Sequence, residues 1–272
     1  MRTEGLFGPG SVTWRVNRER VVLLGGPAAA VLQVAHPVVA RGVAAHSRYR
    51  EDAVGRLSRT LGAVYTVAFG SRDEVERVRR EVGRAHARVR GEGYSAFDPG
   101  AQLWVLATLI HGSVSLFERY VGRLSGSEKD RLIEENRAFG GVFGLDAGLI
   151  WRSWREFEEY WQSMVHGDEL GSDPLCAEVT HSVLHPGSPG VFAAMAPVLL
   201  ALAREWIPEK LRDRLKIRRG MLGTIPVLDV TLPRLIPVLP SVVRFAPHYR
   251  RAKTRMEGDG PEKTGESGRD CG

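Results

Sequence analysis

At 272 residues, 43% hydrophobic and 26% charged, the chain has the composition of a soluble globular protein with room for a sizeable core. Its net charge of +6, from 38 Lys+Arg against 32 Asp+Glu, could favour anionic partners or a membrane surface. No basic-aromatic face that would read bases or phosphates stands out, which argues against nucleic acid; two cysteines, Cys176 and Cys271, build neither a disulfide framework nor a cysteine zinc site.

The opening MRTEGLFGPGSVTWRV lacks the apolar run of a signal peptide. The stretch VFAAMAPVLLALA, 191–203, reads as the longest uncharged apolar run; it is too short to span a bilayer and contains Pro197. A cytoplasmic location is expected. Pro27 can occupy the first turn of a helix through AAAVLQVAH. A helix in GRLSRTLGAVYTVAFG that begins near Gly55 places Arg56 and Arg59 in its first turn, where cations oppose the helix dipole. Arg56, Arg59 and Thr60 then share a face that continues as Ala63, Val64 and Val67. A ligand carboxylate or a substrate oxygen could hold them; two solvated arginines and an exposed threonine are the plainer alternative.

Ser71 with Glu74 forms a capping box for a helix over 75–90, with Gly91 as its C-terminal cap. On that helix Val75, Val78, Val82, His86 and Val89 fall within one arc, so His86 lies among core residues. A buried imidazole needs partners: a backbone carbonyl, or a metal. No HExxH, paired histidine or carboxylate cluster accompanies it, and a single histidine is a poor zinc site but a normal haem ligand.

Asp98-Pro99 opens a helix reaching Val121, with a core stripe of Leu103, Ala107, Ile110, Val114, Phe117 and Val121 flanked by Thr108 and His111. His111 could line a cavity or be a satisfied boundary histidine, and the same choice holds for His36 and His46. His166, His181, His185 and His248 occur in loop-like or polar settings. Ser153 with Glu156 caps another helix, Ser188-Pro189 starts one running to about Trp206, and Pro208 starts a short one. Residues 221–243, apolar but broken by four prolines, suit either short helices packed over the core or a lid or membrane-facing segment. With no strand alternation, the chain reads as all-α, one helical domain over 1–255 followed by a disordered polar tail over 256–272.

The succession QVAHPVVARGVAAHSRYRED, GRLSRTLGAVYTVAFGS, RAHARVRG and YSAFDPGAQLWVLATLIHGS resembles the MpaB-type oxygenases, which share a catalytic domain with the bacterial rubber oxygenases. The resemblance is good over 10–165 and weaker beyond. It implies a helical bundle with globin-like packing around a haem pocket, haem b iron ligated by His86, and Arg56 and Thr60 in that pocket, with His111 near a further family histidine. It also implies an oxygenase that would use dioxygen on a small apolar, prenyl- or polyketide-like substrate, with Arg56, Arg59 and Thr60 as catalytic groups and Trp104 and Thr108 as pocket liners. Rubber oxygenases carry a lysine where this chain has Arg59, which cannot ligate iron. Glu51 does not align cleanly with their acidic base, so rubber cleavage is not expected. The alternatives are a haem-binding protein without oxygenase turnover, and a haem-free member of the fold. Membrane contact through the basic C-terminal residues could accompany any of these.

Overall fold

Asp98 and Pro99 open the longest of the described helices, and many of the other elements pack against it. In this computed structural model, residues 4–46, 53–184, 201, 204–217 and 225–258 are described. Glu51, His185, most of the helix expected from Ser188, residues 221–224, the tail from 259 and the Arg56 side chain lie outside that description.

The chain begins with α1 (Val12–Asn17), a 3-10 turn over Arg20–Gly25, α2 (Gly26–Val34) and α3 (Pro37–His46). Then come α4 (Ala53–Phe69), α5 (Arg72–His86) and a ribbon of two-residue strands, β1 (Arg90–Gly91) and β2 (Tyr94–Ser95). The ribbon is antiparallel, with Arg90 opposite Ser95 and Gly91 opposite Tyr94. It is the only sheet among the described residues, so the fold is all-α. Next follow α6 (Pro99–Tyr120), α7 (Gly126–Val142), α8 (Trp154–His166) and α9 (Pro174–Leu184). The C-terminal part holds α10 (Glu209–Arg214), α11 (Ile225–Leu235), a 3-10 turn over Ile236–Val238, α12 (Ser241–Arg244) and α13 (Pro247–Gly258).

Local chemistry explains most of the boundaries. Asp98 accepts from the Ala101 amide and Pro99 gives up no needed donor, so α6 starts there. Ser71 and Glu74 make the reciprocal cap expected of α5. The Ser153 cap forms, yet its partner differs from expectation: Glu156 accepts from the Arg152 amide, one residue early. The free amides of Val12 and Thr13 at the start of α1 are met by the Glu135 carboxylate of α7, at 3.1 and 2.7 Å.

Boundaries also depart from the sequence reading, two of them at helix ends. α5 stops at His86 rather than 90, because the Ala96 amide takes the Val89 carbonyl at 2.9 Å and the chain enters the ribbon. Gly91 is therefore a strand residue and not a helix cap; Gly93, with φ of +72°, makes the turn. α13 continues to Gly258, past the expected edge of the polar tail.

α6 is also buried on more sides than a single stripe. Ala107, Ile110, Val114 and Phe117 are buried as expected, but so are Trp104, Leu106, Thr108, Leu116 and Tyr120. By length and a mean hydropathy of 1.3 it could cross a bilayer, and it exceeds the 191–203 run in charge-free length. Here half of its apolar length is enclosed by neighbouring helices, which is what a central core helix does. Pairing closes the fold from both ends. The bonds from Arg244 to buried Glu19, at 2.8 and 2.9 Å, tie α12 to the N-terminal segment, and Trp14 packs edge-on against Phe69 and Tyr249.

Candidate functional site

The hairpin of α4 and α5 carries most of the residues singled out above. Its closed end is rooted in the core: Tyr65, Val67, Ala68, Phe69, Ser71 and Val75 are buried. Away from that end both helices rise toward solvent. On α4, Val64 and Leu61 are half-buried and Thr60 and Arg59 exposed; on α5, Val78, Val82 and His86 are half-buried. Arg56 lies 14 residues before Gly70 and His86 lies 15 after Ser71, so both stand ~21–23 Å along their helices from the joint. The arginine-threonine turn and the histidine thus lie at similar distances along their helices from the joint. Since α4 begins at Ala53, Arg59 sits in the second turn and not the first, which weakens its conflict with the helix dipole.

His86 ends α5 half-buried, and its ring meets the edge of Phe97 at 5.9 Å between centroids. Its Nδ1 is sealed from solvent and has no hydrogen-bond partner. Burial pushes the imidazole below the usual histidine range, so at neutral pH the ring is uncharged. The backbone-carbonyl partner that would have made it a satisfied core histidine is not what Nδ1 finds.

A second constellation forms between α2, α6 and α8. His111 lies flat on Trp161 at 3.7 Å, and Trp161 stacks in turn on Trp104 at 5.2 Å. Burial pushes His111 down to about 4. Trp104 donates to the Leu32 carbonyl at 2.6 Å. The Thr108 hydroxyl is engaged twice, donating to the Val105 carbonyl and accepting from Gln33, so it has little left for a substrate. His36, expected only as a candidate second histidine, is buried at the joint of α2 and α3, with Nε2 3.2 Å from Glu169 and Nδ1 unpartnered. Burial pushes His36 below its usual value despite that carboxylate. Glu169 also acts on Tyr160, whose hydroxyl is raised above the usual tyrosine value, first by burial and then by this charge.

The structure therefore gathers Trp104, Thr108 and His111 with Trp161, a partner that chain spacing does not reveal. His86 is placed instead with Phe97 beside the ribbon. His46 is exposed and hydrogen-bonded to Tyr94 at 3.0 Å. The histidines set aside as loop-like are mostly helical: His166 ends α8, His181 is in α9, and His248 in α13 stacks on Tyr65 at 5.4 Å. Among the described residues no three His, Cys, Asp or Glu side chains come together in a way that could hold a metal ion. A haem makes a smaller demand, since the macrocycle supplies four nitrogens and the protein one axial donor. A neutral imidazole with a sealed, unpartnered nitrogen fits that demand.

The fold is an all-helical domain that carries one such imidazole at the end of α5. Residues 14–232 match the family described as "ER-bound oxygenase mpaB/B'/Rubber oxygenase, catalytic domain", and the chain belongs to that family. Two curated relatives, uncharacterized proteins of Mycobacterium bovis and Mycobacterium tuberculosis, are each 30% identical over 119 residues, covering 42% of this chain and 47% of theirs. The chain thus spans about half the length of the curated relatives it matches. No solved structure matches.

Proposed function

We propose that this protein is a haem b-dependent oxygenase that uses dioxygen on a small apolar, prenyl- or polyketide-like substrate. The observation that carries the reading is His86, whose sealed and unpartnered nitrogen sits at the end of α5 in a chain of this family. Haem b would supply the iron at which dioxygen is activated.

The chain's own residues have separate tasks. His86 would hold the iron through its imidazole, which burial keeps neutral and the Phe97 edge keeps from turning freely. Arg56 and Arg59 would bind carboxylates of the cofactor or a polar atom of the substrate, and neither can give up its proton to become an iron ligand. The Thr60 hydroxyl would orient a polar atom beside them. Trp104 and His111, backed by Trp161, would form an apolar wall that excludes water, with the helices packed in globin-like fashion around the haem. A cytoplasmic setting completes the proposal, in keeping with the free, buried thiol of Cys176.

The test is the absorption spectrum of the purified protein beside that of His86→Ala, with helical circular dichroism as the control for folding. The expected result is a Soret band in the wild type that is lost or shifted in the variant while helicity persists. No Soret band in either, from cells supplied with haem precursor, would sink the haem assignment. The exposure of Arg59 and Thr60 favours a second reading, a haem carrier without turnover. Oxygen consumption in the presence of apolar substrates separates the two.

A further inference from the structure

Six of the ten large apolar side chains exposed among the described residues fall in one short stretch: Val227, Val230, Leu235, Val238, Val242 and Val243. The opposite side of that stretch is pinned to the core, where Ile236 and Leu232 pack with Leu116 and Tyr120 at the end of α6. A helix that merely covers a core should be polar on its outer face. Here the outer face is apolar as well, and Val238, between Pro237 and Pro240, is 75% exposed. Single exposed apolar side chains need no explanation; six on one segment do.

Positive charge prevails around this surface, although Glu74 pairs with Arg255 at 3.6 Å and Glu205 lies near Arg119. The one acid within 227–243, Asp229, is neutralised by Arg119 at 2.6 Å. Arg20 reaches the Val243 carbonyl, and Arg234 lies exposed on α11. Four residues beyond Val243, hence within ~14 Å, Pro247 opens a cleft of about 560 Å³ lined by Arg250, Arg251, Thr254 and Arg255. A second copy of the chain would set these cations against themselves across a two-fold axis. An anionic leaflet would accept both the apolar ridge and the cations.

We propose that the 227–243 surface, together with the arginine cleft beside it, docks this protein peripherally on membranes rich in anionic phospholipid. The valine ridge enters the boundary between headgroups and acyl chains, and Arg20, Arg234 and the cleft take the phosphates. The proposal does not depend on haem or on oxygenase turnover.

Flotation of the full chain with vesicles tests it, using phosphatidylcholine alone and phosphatidylcholine with about one-third phosphatidylglycerol. Binding is expected only to the anionic vesicles and should fall several-fold between ~0.1 and ~0.5 M salt. Removing one cation near such a surface lowers partitioning about fivefold, so Arg234→Glu with Arg251→Glu should lose tenfold or more. The pair Val238→Asp and Val242→Asp should lose a similar factor, and both double variants should keep the wild-type melting temperature because these side chains face solvent. Absence of flotation, or flotation unchanged in either pair, overturns the proposal. Loss in the arginine pair alone would leave a simple anion site. A wild-type dimer that the valine pair dissociates, without vesicle binding, would assign the surface to a second copy instead.

Discussion

At the scale of single residues, the stacked His111 makes stability depend on pH in a definite direction. Burial holds it neutral down to about 4, whereas an unfolded histidine takes up a proton near 6.5. The unfolded state therefore binds the proton first, and native stability is lost as pH falls from ~6.5 to ~4, then levels off. The loss amounts to ~2 kcal/mol between pH ~7 and ~5. His111→Phe preserves stacking on Trp161 and should remove that part of the acid sensitivity, read as denaturation midpoints at the two pH values. Equal losses in wild type and variant would contradict it. The face of His86 was legible from valine spacing alone, though the burial of that face is graded and not uniform. Glu169 beside His36 was not legible, because nothing local in the sequence says which distant carboxylate a buried imidazole will meet.

At the scale of elements, the joint between α4 and α5 controls the candidate site. A Cβ at Gly70 would stand 2.5 Å from the Thr66 carbonyl oxygen, a backbone atom that cannot step aside. Gly70→Ala should cost about 2 kcal/mol in urea denaturation. If His86 and Arg59 work as one site, it should also disturb the haem spectrum. A stability within a few tenths of a kcal/mol of wild type would show that the joint has slack. Helix starts were readable because caps are local chemistry: Ser71, Asp98, Ser153, Pro27 and Pro208 all mark real beginnings. The end of α5 was misread because a two-residue ribbon, made by pairing with Tyr94 and Ser95, competes with one more helical turn. The burial of α6 on more than one side was missed for a different reason: periodicity finds one apolar face and does not see that neighbours cover parts of the others.

At the scale of the whole molecule, the main core draws on residues from Phe7 to Ala252, with a smaller cluster of Leu116, Tyr120 and Ile236 beside it. Circular dichroism and tryptophan fluorescence should therefore report a single coincident unfolding transition. The ion pair of Arg244 with Glu19 is part of that closure, and the Glu19 side chain is only 1% exposed. Arg244→Leu would strip a buried carboxylate of its main partner, at a cost of about 3 kcal/mol. The melting temperature should drop by roughly 6–12 °C. A drop of a degree or less would mean that Arg18, 3.4 Å away, suffices to hold Glu19.

That closure also sets an order of events during synthesis. Glu19 leaves the ribosome 225 residues before Arg244. Arg18 must likewise wait for Ala246, and the Phe69 carbonyl for Arg255. Contacts of such separation are slow to form, since a long loop has to close before any of them contributes. The nascent chain therefore carries an incomplete N-terminal surface until the residues through Arg255 have been made. Chains halted near residue 240 should be held by chaperones and cut readily by proteases, while a chain that includes α13, laid across Trp14 and Phe69, resists both.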